Sequence, residues 1–119
     1  MAQSVGIKDV LELSLRATSL RGRAIANNIA NVNTPGFERS AVRFESLLAK
    51  AIDSGDLNDS VGVAPELFSP KNTPVGADGN DVDMEMEMGE LVKNGASRKV
   101  YLRVLKKLYQ QMNRAIGAE

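Results

Sequence analysis

The segment at residues 83–116 constrains the fold of this chain more than any other stretch does. Its apolar side chains recur at steps of three and four residues, and nothing that breaks a helix more strongly than glycine interrupts them. This spacing predicts one long helix with an apolar packing seam. The seam residues are Met84, Met88, Leu91, Leu102, Leu105, Tyr109, Met112 and Ile116. Gly95 and Arg98 interrupt the seam.

The beginning of this helix is ambiguous by periodicity alone. Apolar and acidic residues alternate over residues 82–88, which is the pattern of a strand. Asp81 and Asp83, however, are good candidates for a helix N-cap, and Glu85 and Glu87 suit the positive end of a helix dipole. We therefore predict that a C-terminal helix covers residues 81–117.

A helix of this length is longer than a compact chain of 119 residues is wide. At ~1.5 Å per residue it spans about 50 Å, whereas a globule of this size has a diameter of about 35 Å. Part of its apolar stripe therefore extends beyond what the chain itself can cover, and other chains are expected to cover the rest. The predicted fold class is all-α and elongated.

A second helix is predicted at residues 8–33. Its main apolar line, which Thr18 and Gly22 interrupt, consists of Leu11, Leu15, Ile25, Ile29 and Val32. A second line widens the apolar face and consists of Leu13, Ala17, Leu20 and Ala24. This helix is therefore expected to contact more than one neighbour, and the two terminal helices are expected to form a coiled-coil-like pair.

The middle of the chain, residues 34–80, is predicted to be mostly irregular. Pro35 should end the first helix, and Thr34, Pro35 and Gly36 have the residue types of a type II turn. Residues 39–52 are predicted to be extended near Phe44 and helical afterwards. Glycines and prolines interrupt residues 53–80, which fit no long regular element. We expect one domain over residues 1–119.

Side chains that support catalysis or metal binding are scarce. The chain has no Cys and no His, so nucleophilic or acid-base chemistry would depend on carboxylates, Lys, Ser or Tyr. The acidic cluster at residues 78–87 resembles fragments of a calcium loop, but its glycine comes too early and the bidentate Glu is missing. We predict no catalytic, cofactor-binding or metal site and no small-molecule substrate. A metal-assisted hydrolase that uses these acids is the alternative from the enzyme class.

Charge is distributed unevenly along the C-terminal helix, although the chain as a whole has a formal net charge of +0. Acidic residues lie at its start, and its second half carries Arg98, Lys99, Arg103, Lys106, Lys107 and Arg114 without an acid between them. Lys99, Arg103, Lys106 and Arg114 share roughly one face, which suits a solvated surface, a contact with a partner chain, or an anionic nucleic acid or lipid. The balanced total charge argues against nucleic acid. An acidic helix start could also face the basic half of a staggered neighbour.

Targeting segments are not evident in the sequence. Residues 1–8 lack a basic region followed by a continuous apolar run, and no stretch of ~18 apolar residues occurs. We therefore expect neither a cleaved signal peptide nor a membrane span.

Asparagines cluster at the end of the first helix. The chain reads NIAN at residues 28–31 and NTPGF at residues 33–37. Four Asn here are costly in helix propensity, so we expect their amides either to cap the helix and form the turn or to contact an adjacent subunit. These two motifs resemble the N-terminal signature of the flagellar axial proteins. The stretch DGNDVDM at residues 78–84, followed by Glu87, Met88 and Leu91, resembles the proximal-rod branch of the basal-body rod proteins.

The resemblance covers both ends of the chain and implies more than the residues show alone. It implies a structural subunit whose terminal helices build the inner layer of a tubular rod in the flagellar basal body, exported by the flagellar type III apparatus. The implied partners are copies of the chain, other rod proteins, the basal-body adapter protein and the export gate. The family usually has an aromatic about four residues after the position of Asn94, and here Arg98 stands there. A kink or a close helix approach is therefore expected near Gly95.

We predict a subunit interface formed by the helix seam and by the asparagine turn. Its residues are Leu11, Leu15, Ile25, Asn28, Ile29, Asn31, Asn33, Pro35, Gly36, Leu91, Leu102, Leu105 and Met112. The alternatives are a distal-rod homologue of the same family and a free-standing helical adapter or chaperone that binds one partner helix.

Overall fold

A computed structural model of the chain describes residues 6–55 and 62–117. Residues 56–61, which belong to the predicted irregular segment, and the first residues considered for a signal peptide lie outside the described residues. The elements in chain order are α1 (Ile7–Ala30), β1 (Ala41–Arg43), α2 (Glu45–Asp53), β2 (Glu66–Phe68) and α3 (Met84–Ile116). The fold is mostly helical, with long helices at both ends, which confirms the predicted fold class.

Helix α1 ends at Ala30, three residues before the predicted end at residue 33. The chain turns immediately afterwards, because the backbone N–H of Thr34 donates to the carbonyl of Asn31 at 3.0 Å. The predicted type II turn follows. Phe37 N donates to Thr34 O at 3.2 Å, and Gly36 has the positive φ of 74° that the third position of such a turn requires.

Helix α3 begins at the predicted N-cap. The side chain of Asp83 accepts a hydrogen bond from the backbone N–H of Met86 at 3.2 Å. From there the helix continues without interruption through Gly95 to Ile116. A Cβ atom built on Gly95 would meet nothing within 4 Å. The expectation of a close helix approach at Gly95 was therefore wrong.

Helices α1 and α3 pack antiparallel. Asn28 near the end of α1 contacts Glu87 at the start of α3, and Thr18 contacts Asn94 further along. The close approach lies at Gly22 instead of Gly95, because a Cβ atom on Gly22 would lie 3.6 Å from the Asn94 amide nitrogen. Extending the contacts of Asn28 with Glu87 and of Thr18 with Asn94 along the antiparallel pair places the start of α1 beside the residues near Tyr109. The last turns of α3 therefore extend beyond α1.

The hydrophobic core lies on the other side of α1, against the middle of the chain. Its buried members are Leu13, Ala17, Ala24, Val42 and Phe44. Leu13, Ala17 and Ala24 belong to the second apolar line of α1, and Val42 and Phe44 come from β1 and the residue before α2. This confirms that α1 contacts more than one neighbour.

A two-stranded antiparallel sheet is the main element that the sequence did not predict. Strand β1 pairs with β2, with Val42 opposite Leu67 and Arg43 opposite Glu66. The extended residues before Phe44 and the helix after it agree with prediction. The sheet places Arg43 over the ring of Phe68, 4.2 Å from its centroid, where a cation–π contact supports the short ladder.

An ion pair connects α1 with the first turn of α2. Arg21 Nη2 lies 2.8 Å from Glu45 Oε1 and also donates to the carbonyl of Val42 at 3.0 Å. The hydrogen bond from Arg21 lowers the pKa of the Glu45 carboxyl. The pair is partly exposed to solvent, so its contribution is that of an ordinary surface salt bridge.

The molecule is long and thin. Its principal extents are 66 × 30 × 16 Å and its radius of gyration is 18.0 Å, whereas a compact chain of this length has a radius of about 13–14 Å. Within the described residues, no helix is both long and apolar enough to cross a membrane. The elongation leaves much of α3 without cover from the rest of the chain.

Candidate subunit interface

A buried polar cluster joins the end of α1, the segment before β1 and the start of α3. Glu87 is 0% exposed, and one of its carboxylate oxygens accepts from the side-chain amide of Asn28 at 2.7 Å. Its other oxygen accepts from Arg39 Nε at 3.2 Å, and the Arg39 side chain is only 5% exposed. A buried charge pair is tolerated when its other polar atoms also have hydrogen-bond partners. Here Asn28 donates to Glu87, and Arg39 Nη1 donates to the side-chain oxygen of Asn72 at 3.2 Å.

Asn28 also binds the main chain of Ser40. Its amide nitrogen donates to the Ser40 carbonyl at 2.8 Å, and its amide oxygen accepts from the Ser40 N–H at 2.9 Å. Asn28 is 0% exposed. In this chain the side-chain amide of Asn28 is bound by residues of its own chain, and its contact with a neighbouring subunit stays a prediction.

The asparagine turn packs against the loop that precedes α3. The Asn80 amide donates to the carbonyls of Asn31 and Thr34, at 2.9 and 2.8 Å. Gly36 N donates to the carbonyl of Asp78 at 2.8 Å. The two stretches that carried the family resemblance, at residues 28–37 and 78–84, therefore contact each other. They form one structural unit, in which the turn after α1 packs against the loop before α3.

The predicted turn residues differ in how far they remain accessible. Asn31 is half-buried, and its amide donates to the carbonyl of Asn27 at 2.8 Å. Asn33, Pro35 and Gly36 are exposed. These three can still contact another subunit, as the interface prediction requires.

Glycine 79 has the strongest local constraint in this unit, and replacing it tests the contact between loop and turn. Its φ is +83°, and a Cβ atom there would lie 3.3 Å from the Cα of Gly36. Gly79→Ala is expected to lower the free energy of unfolding by about 1–3 kcal/mol, measured by urea denaturation.

Gly89→Ala is the matched control, because a Cβ on Gly89, inside α3, would meet nothing within 4 Å. It should stabilise the chain by about 0.5–1 kcal/mol. Equal effects of the two changes would contradict the constraint at Gly79.

The contact of α3 with α1 uses a line of residues that repeats every seven positions. Glu87 and Asn94 on this line bond to Asn28 and Thr18 of α1, and Tyr101 and Leu108 continue the line at the same spacing. Glu87 and Asn94 are buried and the other two are half-buried. Arg98 adds to the contact by donating to the hydroxyls of Thr18 and Ser19, at 3.3 and 2.9 Å. The contact between the two long helices is thus strongly polar.

The predicted apolar seam of α3 lies beside this contact and remains largely open. Its members keep the following exposed fractions: Met88 55%, Leu91 45%, Leu102 45%, Tyr109 41%, Met112 42% and Ile116 82%. Leu105 is half-buried. In an isolated chain this leaves an exposed apolar line along a 33-residue helix, interrupted at Gly95 and Arg98. We refer to these seven residues as the α3 stripe.

The predicted seam of α1 is used mainly inside the chain. Leu11 and Ile25 are 7% and 3% exposed, so they present little surface in the isolated chain, and their part in a subunit interface stays a prediction. Leu15 and Ile29 are half-buried and keep a surface that a neighbour can contact. The surface available for assembly therefore lies mainly on α3.

Several residues that organise this region were not singled out as functional from the sequence. Thr18 and Arg98 were noted as interruptions of two apolar seams, and they contact each other. A polar residue within an apolar line is a detectable signal for such a contact. Arg39 and Asn94 gave no comparable signal, because their partners are far away in the sequence.

The acidic cluster before and within α3 is largely committed to protein donors. Asp81 is 3% exposed, and its carboxylate accepts from the backbone N–H of Arg39 at 2.6 Å. Glu87 is bound by Arg39 and Asn28 as described above. In the part of the chain that the structure describes, no group of three or more acidic side chains is arranged to hold a metal ion.

Comparison with known proteins gives consistent matches. A sequence model of the family described as "Flagella basal body rod protein" matches residues 15–37. The chain is 36% identical to the flagellar basal body rod protein FlgB of Borreliella burgdorferi over 98 residues, which cover 67% of this chain and 73% of the relative. It is 32% identical to FlgB of Salmonella typhimurium over 111 residues, 78% of each chain. A match to the flagellar basal-body rod protein FlgG of Buchnera aphidicola, 31% identical over 76% of this chain, covers only 34% of that relative.

Proposed function

Because this chain belongs to the FlgB family of flagellar basal body rod proteins, we propose that it is a structural subunit of the proximal rod and assembles through the α3 stripe. The observation that carries the proposal is the stripe itself. Leu91, Leu102 and Met112 remain between 42% and 45% exposed although the chain has a core elsewhere. Such an exposed apolar line on a long helix indicates a surface that another helix covers.

The energetics of burying this stripe support assembly. Complete burial of a Leu, Ile or Met side chain contributes about 1.5–3 kcal/mol, and all of these side chains except Ile116, which is 82% exposed, are already about half covered. Six such residues together therefore contribute several kcal/mol to each contact, which is comparable with the lower estimates of about 4–15 kcal/mol for the entropic cost of association. A subunit of this kind is expected to be monomeric when dilute and to assemble only when several contacts form together.

The partners in this proposal are other copies of the chain and other rod proteins, with the basal-body adapter protein and the export gate at the start of the structure. The location is the periplasm-spanning rod of the flagellar basal body, and export proceeds without a cleaved signal peptide. The role is non-enzymatic. The thin shape, 66 Å long, supports this role because a subunit of a tubular assembly presents its long faces to its neighbours.

Removing the gene from the bacterium that carries it tests the proposed function. Cells without the protein are expected to lack rods and external flagella and to be non-motile, while a plasmid copy restores all three. Isolated basal bodies of the complemented strain should contain the protein, as measured by mass spectrometry. Complete flagella in the deletion strain would contradict the proposal.

A further inference from the structure

Charges of opposite sign are separated to the two ends of this long molecule. Helix α3 connects the ends, and about 44 Å of helix, at ~1.5 Å per residue, separates Glu85 in its first turn from Arg114 in its last turn. Residues 91–117 contain no acid. The bases that lie furthest along this helix are all exposed, and we call them the basic end: Arg103, Lys106, Lys107 and Arg114.

The acidic end lies at the start of α3 and includes acids that are distant in the sequence. The turn after α1 packs against the loop before α3, because Gly36 N donates to the carbonyl of Asp78 at 2.8 Å. This contact brings two acids of the turn and the loop next to two acids at the beginning of α3. All four are exposed, and we call them the acidic end: Glu38, Asp78, Asp83 and Glu85. Lys71 is the exposed base of the same loop, and one base against four acids leaves this end negative.

The charges of the two ends are not neutralised by ion pairs within the part of the chain that the structure describes. The ion pairs there are Lys8 with Glu12, Arg21 with Glu45, Arg39 with Glu87, and Arg43 with Glu66. Only other residues take part in them. The start of α1, which lies beside the residues near Tyr109, does not cancel the basic end, because residues 8–16 contain two bases and two acids. A chain with a formal net charge of +0 therefore carries two uncompensated surfaces of opposite sign.

We propose that the basic end of one copy docks on the acidic end of a second copy, so that copies follow one another in the same direction. This inference rests on the proposed function and adds a contact to it, because the α3 stripe joins copies side by side whereas the ends join them along their length. The occupant is a second copy because the chain itself carries the surface of complementary charge. Apolar side chains accompany the charges at both ends, since Val75 is 64% exposed at the acidic end and Ile116 is 82% exposed at the basic end.

The direction of the copies follows from what each pairing leaves free. Two copies side by side in the same direction without a shift place like charges beside like charges, which is repulsive. An antiparallel pair matches the charges, but it is isologous and closes after two copies. A contact between the two different ends is heterologous and leaves one basic and one acidic end free for further copies. Growth therefore continues, as a rod subunit requires.

Reversing the charges of one end at a time tests the contact. The acidic-end variant carries Glu38→Lys and Glu85→Lys, which leave the helix cap at Asp83 intact. The basic-end variant carries Lys107→Glu and Arg114→Glu. At low salt each variant is expected to weaken self-association about ten- to a hundredfold, because every reversed charge replaces an attraction with a repulsion. Sedimentation velocity measures the association, and circular dichroism checks that both variants keep their helix content.

Mixing the two variants distinguishes a specific contact from a general effect of charge. One variant keeps the basic end and the other keeps the acidic end, so an equimolar mixture is expected to form a 1:1 complex although neither variant associates alone. The wild-type chain should form a longer series of oligomers, because both of its ends remain active. The inference is overturned if the mixture forms no complex, if the wild-type chain stops at dimers, or if it stays monomeric at low salt at its highest soluble concentration.

Reversed charges between the two ends provide the matched control. Arg16 and Arg23 are exposed bases of α1, and Arg16→Glu with Arg23→Glu changes the net charge as much as the basic-end variant does. Self-association of this control should stay close to wild type, and a loss equal to that of the basic-end variant would overturn the inference. Raising the salt from about 0.01 M to about 0.15 M shortens the Debye length from about 30 Å to about 8 Å. The 1:1 complex should weaken accordingly, and a complex that is insensitive to salt would contradict charge pairing.

A lipid surface is the competing occupant of the basic end. If the wild-type chain binds vesicles containing phosphatidylserine, loses this binding in the basic-end variant and does not self-associate, the basic end belongs to a lipid contact and the inference is overturned.

The outcomes also separate this contact from the proposed function. If both end variants assemble like the wild type while a charge within the stripe prevents assembly, the stripe is the interface and only the end contact is wrong. If cells that lack the protein build complete flagella, the proposed function fails whatever the two ends do.

Discussion

Replacing Glu87 with alanine is expected to lower the free energy of unfolding by about 3–5 kcal/mol. Glu87 is 0% exposed and accepts hydrogen bonds from both Asn28 and Arg39. Without the carboxylate, the Arg39 guanidinium remains buried without its counter-charge, and the Asn28 amide loses one of its two acceptors. Urea denaturation followed by circular dichroism, at concentrations where the chain is monomeric, measures this change.

Glu85→Ala is the matched control for that measurement. Glu85 lies one half-turn earlier on the same helix but is exposed. Removing its carboxylate should lower the free energy of unfolding by less than about 1 kcal/mol, because an exposed carboxylate in the first turn interacts only weakly with the helix dipole. If Glu87→Ala costs no more than Glu85→Ala, the buried cluster does not hold α1 and α3 together.

Replacing Leu102 with aspartate is expected to weaken self-association at least a hundredfold and to prevent rod formation in cells. A carboxylate in the centre of the α3 stripe would have to be buried without a partner when two copies pack together. The isolated chain should keep its fold, because Leu102 is 45% exposed and lies outside the line that contacts α1. Sedimentation velocity measures the association, and circular dichroism measures the helix content of the monomer.

Val100→Asp provides the control on another face of the same helix. Val100 is 58% exposed and lies neither on the stripe nor on the line that packs against α1. The same charge at this position should leave assembly nearly unchanged. If both variants lose assembly equally, the defect reflects charge or helix propensity and the stripe is not the interface.

The long helices and the turn between α1 and β1 were predictable because their signals are local. Apolar periodicity determined α3, the Asp83 cap marked its start, and Pro35 and Gly36 specified the turn. The pairing of β1 with β2 was not predictable in the same way. Each strand has three residues, and such short strands are specified by cross-strand contacts with a distant partner more than by their own sequence.

The interface was only partly predictable for a related reason. The sequence shows which faces of a helix are apolar, and the residues of the α3 stripe follow from that pattern. It does not show which face its own chain covers. The contact between α1 and α3 depends on polar pairs such as Asn28 with Glu87, which are 59 residues apart. Asparagine 28 therefore looked like a surface residue although it is the centre of a buried network.

The central claim is that the α3 stripe is open in the isolated chain and covered in the assembly. Methionine oxidation by dilute peroxide tests it most directly, because Met88 and Met112 lie on the stripe and are 55% and 42% exposed. Mass spectrometry of the oxidised peptides should show both residues reacting rapidly in the monomer and at least tenfold more slowly in the assembled rod. Equal oxidation rates in the two states would contradict the claim.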